Sequence, residues 1–304
     1  MRLLAVSASA LALAAPAAAA PVRLPDAPDC PLFPTTNVWN KRVDELPVRS
    51  SSRRIVRAIG AKLSLHPDFG SGLWDGGPIG IPITVVGSSQ ATSPVDFRYD
   101  DESDPGPYPI PNDVAIEGGS GAEGDRHAVI VDADSCKLYE LFALYPSWSA
   151  GSGAIWSLTS NALRPAGWTS ADAAGLPILP GLVRYEEVAA GRIDHAIRFT
   201  VSHSRRGYTY PARHYASSRT SRSLPPMGLR LRLRRHYPVA SFPRQARIVL
   251  KALKRYGMIV ADNGTSWYLS GAPDPRWDND QLHTLHRVKG SDFRVVDTRH
   301  FRNG

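Results

Sequence analysis

Apolar residues recur at every second position in HAVIVDADSCKLYELF, residues 127–142, on both sides of the polar stretch 132–135. This alternation predicts two antiparallel strands around a turn. With Val131 facing Cys136, Val129 lies opposite Leu138 and His127 opposite Glu140, and directly opposed side chains are ~5 Å apart. Asp125 and Phe142 share that face, because side chains alternate along a strand. Other patterns fill in the chain. Residues 52–65 read as an amphipathic helix carrying Ile55, Ile59 and Leu63 on one stripe. Strands follow at 83–86 and 95–99, before the turn-rich passage DESDPGPYPIP. IDHAIRFTVSH reads as a strand with Ile193, His195, Ile197, Phe199 and Val201 on one face. In GLRLRLRR the leucines 229, 231 and 233 take one face, leaving Arg230, Arg232 and Arg234 as an exposed row. The helix at 243–256 begins at Pro243 and ends at Gly257. MIVADNGTSWYLSG reads as strand, turn, strand, and DNDQLHTLHRVKGSDF as a short helix with a final strand. The sum is a mainly β chain, a β-rich α+β fold. Its expected architecture is a two-sheet sandwich or jelly roll with a few peripheral helices.

Composition adds a location. The first residues, MRLLAVSASALALAAPAAAAPV, have one arginine, an apolar run and a small-residue segment, which predicts a signal peptide at 1–19 and a single exported β-rich domain at 20–304. No later run reaches the ~18 apolar residues that a membrane span needs. In an oxidising compartment the two cysteines, Cys30 and Cys136, are expected to bond. Charge is uneven: residues 96–140 hold twelve acids against three bases, whereas 198–256 hold fifteen bases and no acid, within an overall excess of +8. A basic half suits an anionic polymer, but export and the lack of any nucleic-acid module argue against nucleic acid.

The candidate chemistry follows from these placements. Glu140 is the preferred acid or base, tuned by His127, with Glu117 or Asp125 as its partner and Asp172 as a weaker candidate. Gly118, Gly119, Gly121 and Gly124 leave the approach to them open. A charge-complementary surface pair would produce the same pattern without any reaction. Trp148, Trp156 and Trp168 offer flat faces for sugar rings, with at least one expected in the core; Arg126, His195 and His214 complete the expected substrate contacts. These features fit a secreted enzyme that cleaves a polysaccharide or cell-wall glycan by glycoside hydrolysis, which needs two carboxyl groups. Two other readings stand beside it. A polysaccharide lyase would use His127 or His195 as base, with Arg126, Arg198 or Arg213 neutralising a uronate; a lectin-like protein would bind glycan without turnover. No cofactor is required, although His127, Glu140, His195 and His214 together would suit a divalent metal. No GxSxG elbow, P-loop or dinucleotide fingerprint is present.

The segments DESDPGPYPIP, IEGG, GDRH, SGAIW, AGLPILPGLVRY and ADNG followed by WYLSGAPDPRW resemble a group of exported bacterial and fungal proteins. The resemblance covers most of the chain after residue 19 and implies one folded unit. It implies no activity.

Overall fold

The structure, a computed structural model, describes residues 23–303, so the expected signal peptide at 1–19 lies outside the described residues. The fold is β-rich α+β, with several open sheets and few helices. The 128–142 hairpin is the centre of a four-stranded sheet. In spatial order its strands are Ser152–Ser157, Lys137–Phe142, Ala128–Asp132 and Ile83–Val86, the last pair parallel and the others antiparallel. Both faces of this sheet are covered. Val129, Val131 and Leu138 enter one apolar cluster, and Ala128, Ile130, Tyr139 and Leu141 another. A six-stranded mixed sheet runs in the order Phe293–Val295, Arg230–Leu233, Met258–Asn263, Ile197–Val201, Tyr268–Ser270 and His66–Asp68.

The hairpin register differs from the expected one by two residues. Val131 pairs with Leu138 and Val129 with Glu140, so His127 lies beyond the ladder, diagonal to Glu140 rather than opposite it. The turn causes the difference. Asp132 stays in the ladder opposite Lys137, while its Oδ1 accepts from the Asp134 and Ser135 amides and Cys136 takes a left-handed φ of 51°. Because the shift is an even number, the faces are conserved.

Other elements also depart from the expected pattern. The row Arg230–Leu233 is buried throughout, and Arg230 donates to the carbonyls of Val38, Lys41 and Tyr256. It is a carbonyl clamp, not an exposed cation. Met258–Asn263 and Tyr268–Ser270 do not form a hairpin, since Ile197–Val201 lies between them. The first helix is Ser52–Gly60; Gly60 at φ 124° ends it, and Leu63 is left 51% exposed. The expected strand at 95–99 contracts to Asp96–Phe97. The helix Arg244–Arg255, entered at Pro243, buries Ile248, Val249, Ala252 and Leu253 on one stripe and stops before Gly257 at φ 71°. Cys30 and Cys136 form a disulfide that ties the strand Ala27–Pro31 to the hairpin turn. Among the described residues no helix is long and apolar enough to cross a membrane.

Candidate functional site

Residues 116–119 make a tight turn, with Gly118 and Gly119 at φ 72° and 88°. The Gly119 amide donates to the Ile116 carbonyl at 2.9 Å, and the Glu117 amide to the His127 carbonyl at 3.0 Å. Behind this turn stands the small hairpin of Leu73–Trp74 with Gly77–Pro78. A Cβ on Gly77 would lie 1.8 Å from the Gly118 carbonyl oxygen, so only glycine allows the two backbones to meet. The glycines therefore set Glu117 and Trp74 at one place.

Glu117 and His127 form an ion pair, Oε2 to Nδ1 at 2.5 Å, and the other ring nitrogen of His127 lies 3.0 Å from the Ala171 carbonyl. Nε2 therefore donates to that carbonyl and Nδ1 donates to the carboxylate, which is the doubly protonated imidazolium. Burial opposes the charge on His127, but Glu117 outweighs it and pushes the imidazole up to about 9. Reciprocally, desolvation alone would raise Glu117, and His127, helped by Arg198, holds it below the ordinary carboxylate range. Glu117 is thus kept ionised.

Arg198 reaches in from the six-stranded sheet. Its Nε donates to both oxygens of the fully buried Asp172 at 2.8 Å, and its Nη1 to Ser270 Oγ at 2.5 Å. Asp172 is consumed by this pair, with its amide on Ser170 Oγ. Asp262 lies 3.5 Å from Arg198 and accepts the Asn263 amide at 2.7 Å; burial and the nearby Asp172 push it up to about 7.

Two hollows reach this ionic core. The larger, about 580 Å³, is lined by Asp68, Glu117, Trp74 and Tyr268 together with His66 and His286. Asp68 opens to solvent at the sheet edge but is crowded on its inner side. That desolvation, and then the Glu117 charge, raise it to about 6 against the pull of Arg198. His66 stacks on Tyr268 with ring centroids 4.0 Å apart and shares a proton with His286 across 2.8 Å. Burial and the neighbouring imidazoles lower His66 to about 4, so it is neutral at physiological pH. Trp74 is 78% exposed and forms part of the hollow's wall. The smaller hollow, about 360 Å³, is lined by Asp125, Glu102, His214 and Asp262.

The residues named from sequence are divided by this geometry. Glu117 and His127 come together, and Glu117 faces a hollow. Asp125 is exposed and lines the smaller hollow, as does His214, whose Nδ1 lies 2.8 Å from the Ala173 carbonyl. Glu140 does not meet His127. It is 0% exposed and accepts the Ile178 and Leu179 amides at 2.9 Å; burial outweighs these bonds and raises it to about 7. A ligand cannot touch it. Arg126 is buried and donates to the carbonyls of Leu144, Ser120 and Ala122. His195 is a core histidine, held by Glu187 and the Ala196 carbonyl. Trp156 is core; Trp148 and Trp168 are half-buried, and none of the three lines either hollow. Among the described residues no group of three or more His, Cys, Asp or Glu side chains is arranged to hold a metal. His127, Glu140, His195 and His214 each have separate partners.

Asp68, Trp74 and the His66–His286 pair are not apparent from the sequence, because HPDFGSG, directly after the expected helix at 52–65, carries the proline and glycines of a helix stop. The available signal was the spacing of His66 and Asp68, which puts two polar side chains on one face of a strand. No family model, curated protein or solved structure matches this chain.

Proposed function

We propose that this chain is an exported glycoside hydrolase that cleaves a polysaccharide or cell-wall glycan in the Asp68–Glu117 hollow, with the two larger sheets as the layers of a sandwich. Asp68, raised to about 6, gives its proton to the leaving glycosidic oxygen as the C–O bond breaks. Glu117, held ionised by His127, either attacks the anomeric carbon or takes a proton from the attacking water. The single observation that carries the reading is the opposite displacement of two carboxyl groups lining one hollow, which assigns acid and base by environment. Trp74 and Tyr268 supply the aromatic faces that sugar rings need.

A uronate-cleaving lyase fits less well. It needs a cation to neutralise the substrate acid, whereas the nearby Arg198 is committed to Asp172 and the hollow itself carries two carboxyl groups. The test is a panel of neutral, acidic and cell-wall polysaccharides, read by new reducing ends and by absorbance of unsaturated uronides. Release of reducing ends without unsaturation, lost in both Asp68→Asn and Glu117→Gln, is expected. Turnover that survives both substitutions, unsaturated products, or binding with no turnover overturns the proposal.

A further inference from the structure

We propose that the groove between helix Ser52–Gly60 and strand Phe293–Val295 binds a linear anionic glycan whose repeats carry sulfate or phosphate groups. This site is separate from the Asp68–Glu117 hollow and does not depend on its chemistry. The groove, about 650 Å³, is lined by Arg49, Arg53, Arg54, Arg57 and Arg294, and no carboxylate lines it. Among the described residues none of these five arginines forms an ion pair. The neighbouring acids are already engaged, Asp292 by Arg234 and Asp297 by Arg299, each at 2.5 Å.

The helix breaks an electrostatic rule here. Its first turn contains Arg53 and Arg54 and no acid, although the positive end of a helix dipole favours negative side chains. Close to Arg49 the excess continues: the Nε of Arg205 is buried without an acceptor, and burial with Arg49 and Arg222 disfavours its charge. Concentrated like charge costs stability and is relieved when a polyanion displaces the counterions. The lining of guanidinium groups and serines, with Arg53, Arg54 and Arg57 along one helix, suits a chain of repeated anions. Nucleic acid is the weaker occupant, because no aromatic side chain lines the groove to stack a base. Arg230 and Arg232, whose spacing in the sequence points to the same role, are buried and take no part.

The experiment uses the full chain and measures binding to dextran sulfate, to dextran phosphate and to an oligonucleotide of matched charge over a range of salt. Arg53→Gln/Arg54→Gln/Arg57→Gln is compared with Lys137→Gln/Arg219→Gln/Lys251→Gln, which removes equal charge from exposed positions elsewhere. The groove variant is expected to weaken glycan binding at least tenfold and to lower the slope of log affinity against log salt by about 2 to 3, with the other variant close to wild type. Preference between the two polymers identifies the anionic group. Equal loss in both variants, binding of neither polymer, or tighter arginine-dependent binding of the oligonucleotide overturns the proposal. Circular dichroism of each variant excludes unfolding as the cause of a loss.

Discussion

Asp68 and Glu117 are two carboxyl groups with opposite perturbations: desolvation, and then the charge of Glu117, raises Asp68, whereas at Glu117 the neighbouring cations overcome desolvation. Glu117 has the imidazolium of His127 at 2.5 Å; Asp68 has the negative charge of Glu117. The pH profile of turnover should therefore fall on the alkaline side through about 6, as Asp68 loses the proton it must donate. The acid limb should lie below the ordinary carboxylate range, where Glu117 becomes protonated. Asp68→Asn should cost about 10²–10⁴ in turnover and remove the alkaline limb; a profile with no limb near 6 would discard Asp68 as the acid. The same pair fixes a stability window. His127 is raised from 6.5 to about 9, so its contribution is complete below pH 6.5 and is lost as pH rises through about 9. Glu117 is depressed, so its contribution is present above 4.5 and is lost as pH falls through its lowered value. Denaturant midpoints should decline between pH 6.5 and 9 in the wild type, and in His127→Gln the decline above pH 8, beyond the titration of Glu140 and Asp262 near 7, should disappear. The substitution itself should cost about 3 kcal/mol, the lower end for a broken buried pair because Glu117 keeps some water. Glu117 and His127 were both legible from sequence as candidates, since they flank the glycine-rich approach to the hairpin. Their partnership was not, because it runs through the fold of residues 116–119 rather than across the ladder.

Among the elements, the hairpin 128–142 illustrates what periodicity conveys. Alternation identified both strands and which side chains share a face, and those assignments hold because a shift of two residues conserves parity. Register was lost at the turn, where Asp132 binds two amides and Cys136 adopts a left-handed conformation, features that alternation does not encode. The consequence is concrete for Glu140. It serves as an acceptor for the amides of Ile178 and Leu179, so Glu140→Gln should leave turnover within about threefold, while Glu140→Leu should destabilise by about 1–3 kcal/mol by orphaning those amides. Loss of turnover in a folded Glu140→Gln protein would contradict this assignment. The Arg230–Leu233 strand fails in a similar way: alternation implies one wet face only when the strand covers a single core, and here both sides are packed. The small hairpin at Trp74 keeps its place through Gly77. Gly77→Ala must separate the hairpin from the Gly118 carbonyl, moving Trp74 off the hollow, so KM for a long glycan should rise while folding is retained.

Across the whole molecule, the disulfide closes a loop that contains both carboxyl groups of the proposed site. Cys30 and Cys136 are 106 residues apart in sequence, and both Asp68 and Glu117 lie inside the loop they close. The four-stranded sheet contributes the hairpin turn that carries Cys136, and the six-stranded sheet contributes the edge strand that carries Asp68. Chain entropy for a loop of this length makes the bond worth about 4–5 kcal/mol, acting on the unfolded chain rather than on the folded site. Two outcomes separate these possibilities. Cys30→Ser/Cys136→Ser should lower the denaturant midpoint by an amount equivalent to about 2–5 kcal/mol, yet leave kcat near the wild-type value wherever the protein remains folded, because the carboxyl pair is positioned by the 116–119 turn and by the strand His66–Asp68. Reductant added to the wild type should reproduce the shift, and reductant added to the variant should do nothing. If kcat falls in step with the midpoint under fully folding conditions, the bond is shaping the hollow itself and the separation between scaffold and site drawn from these positions is wrong.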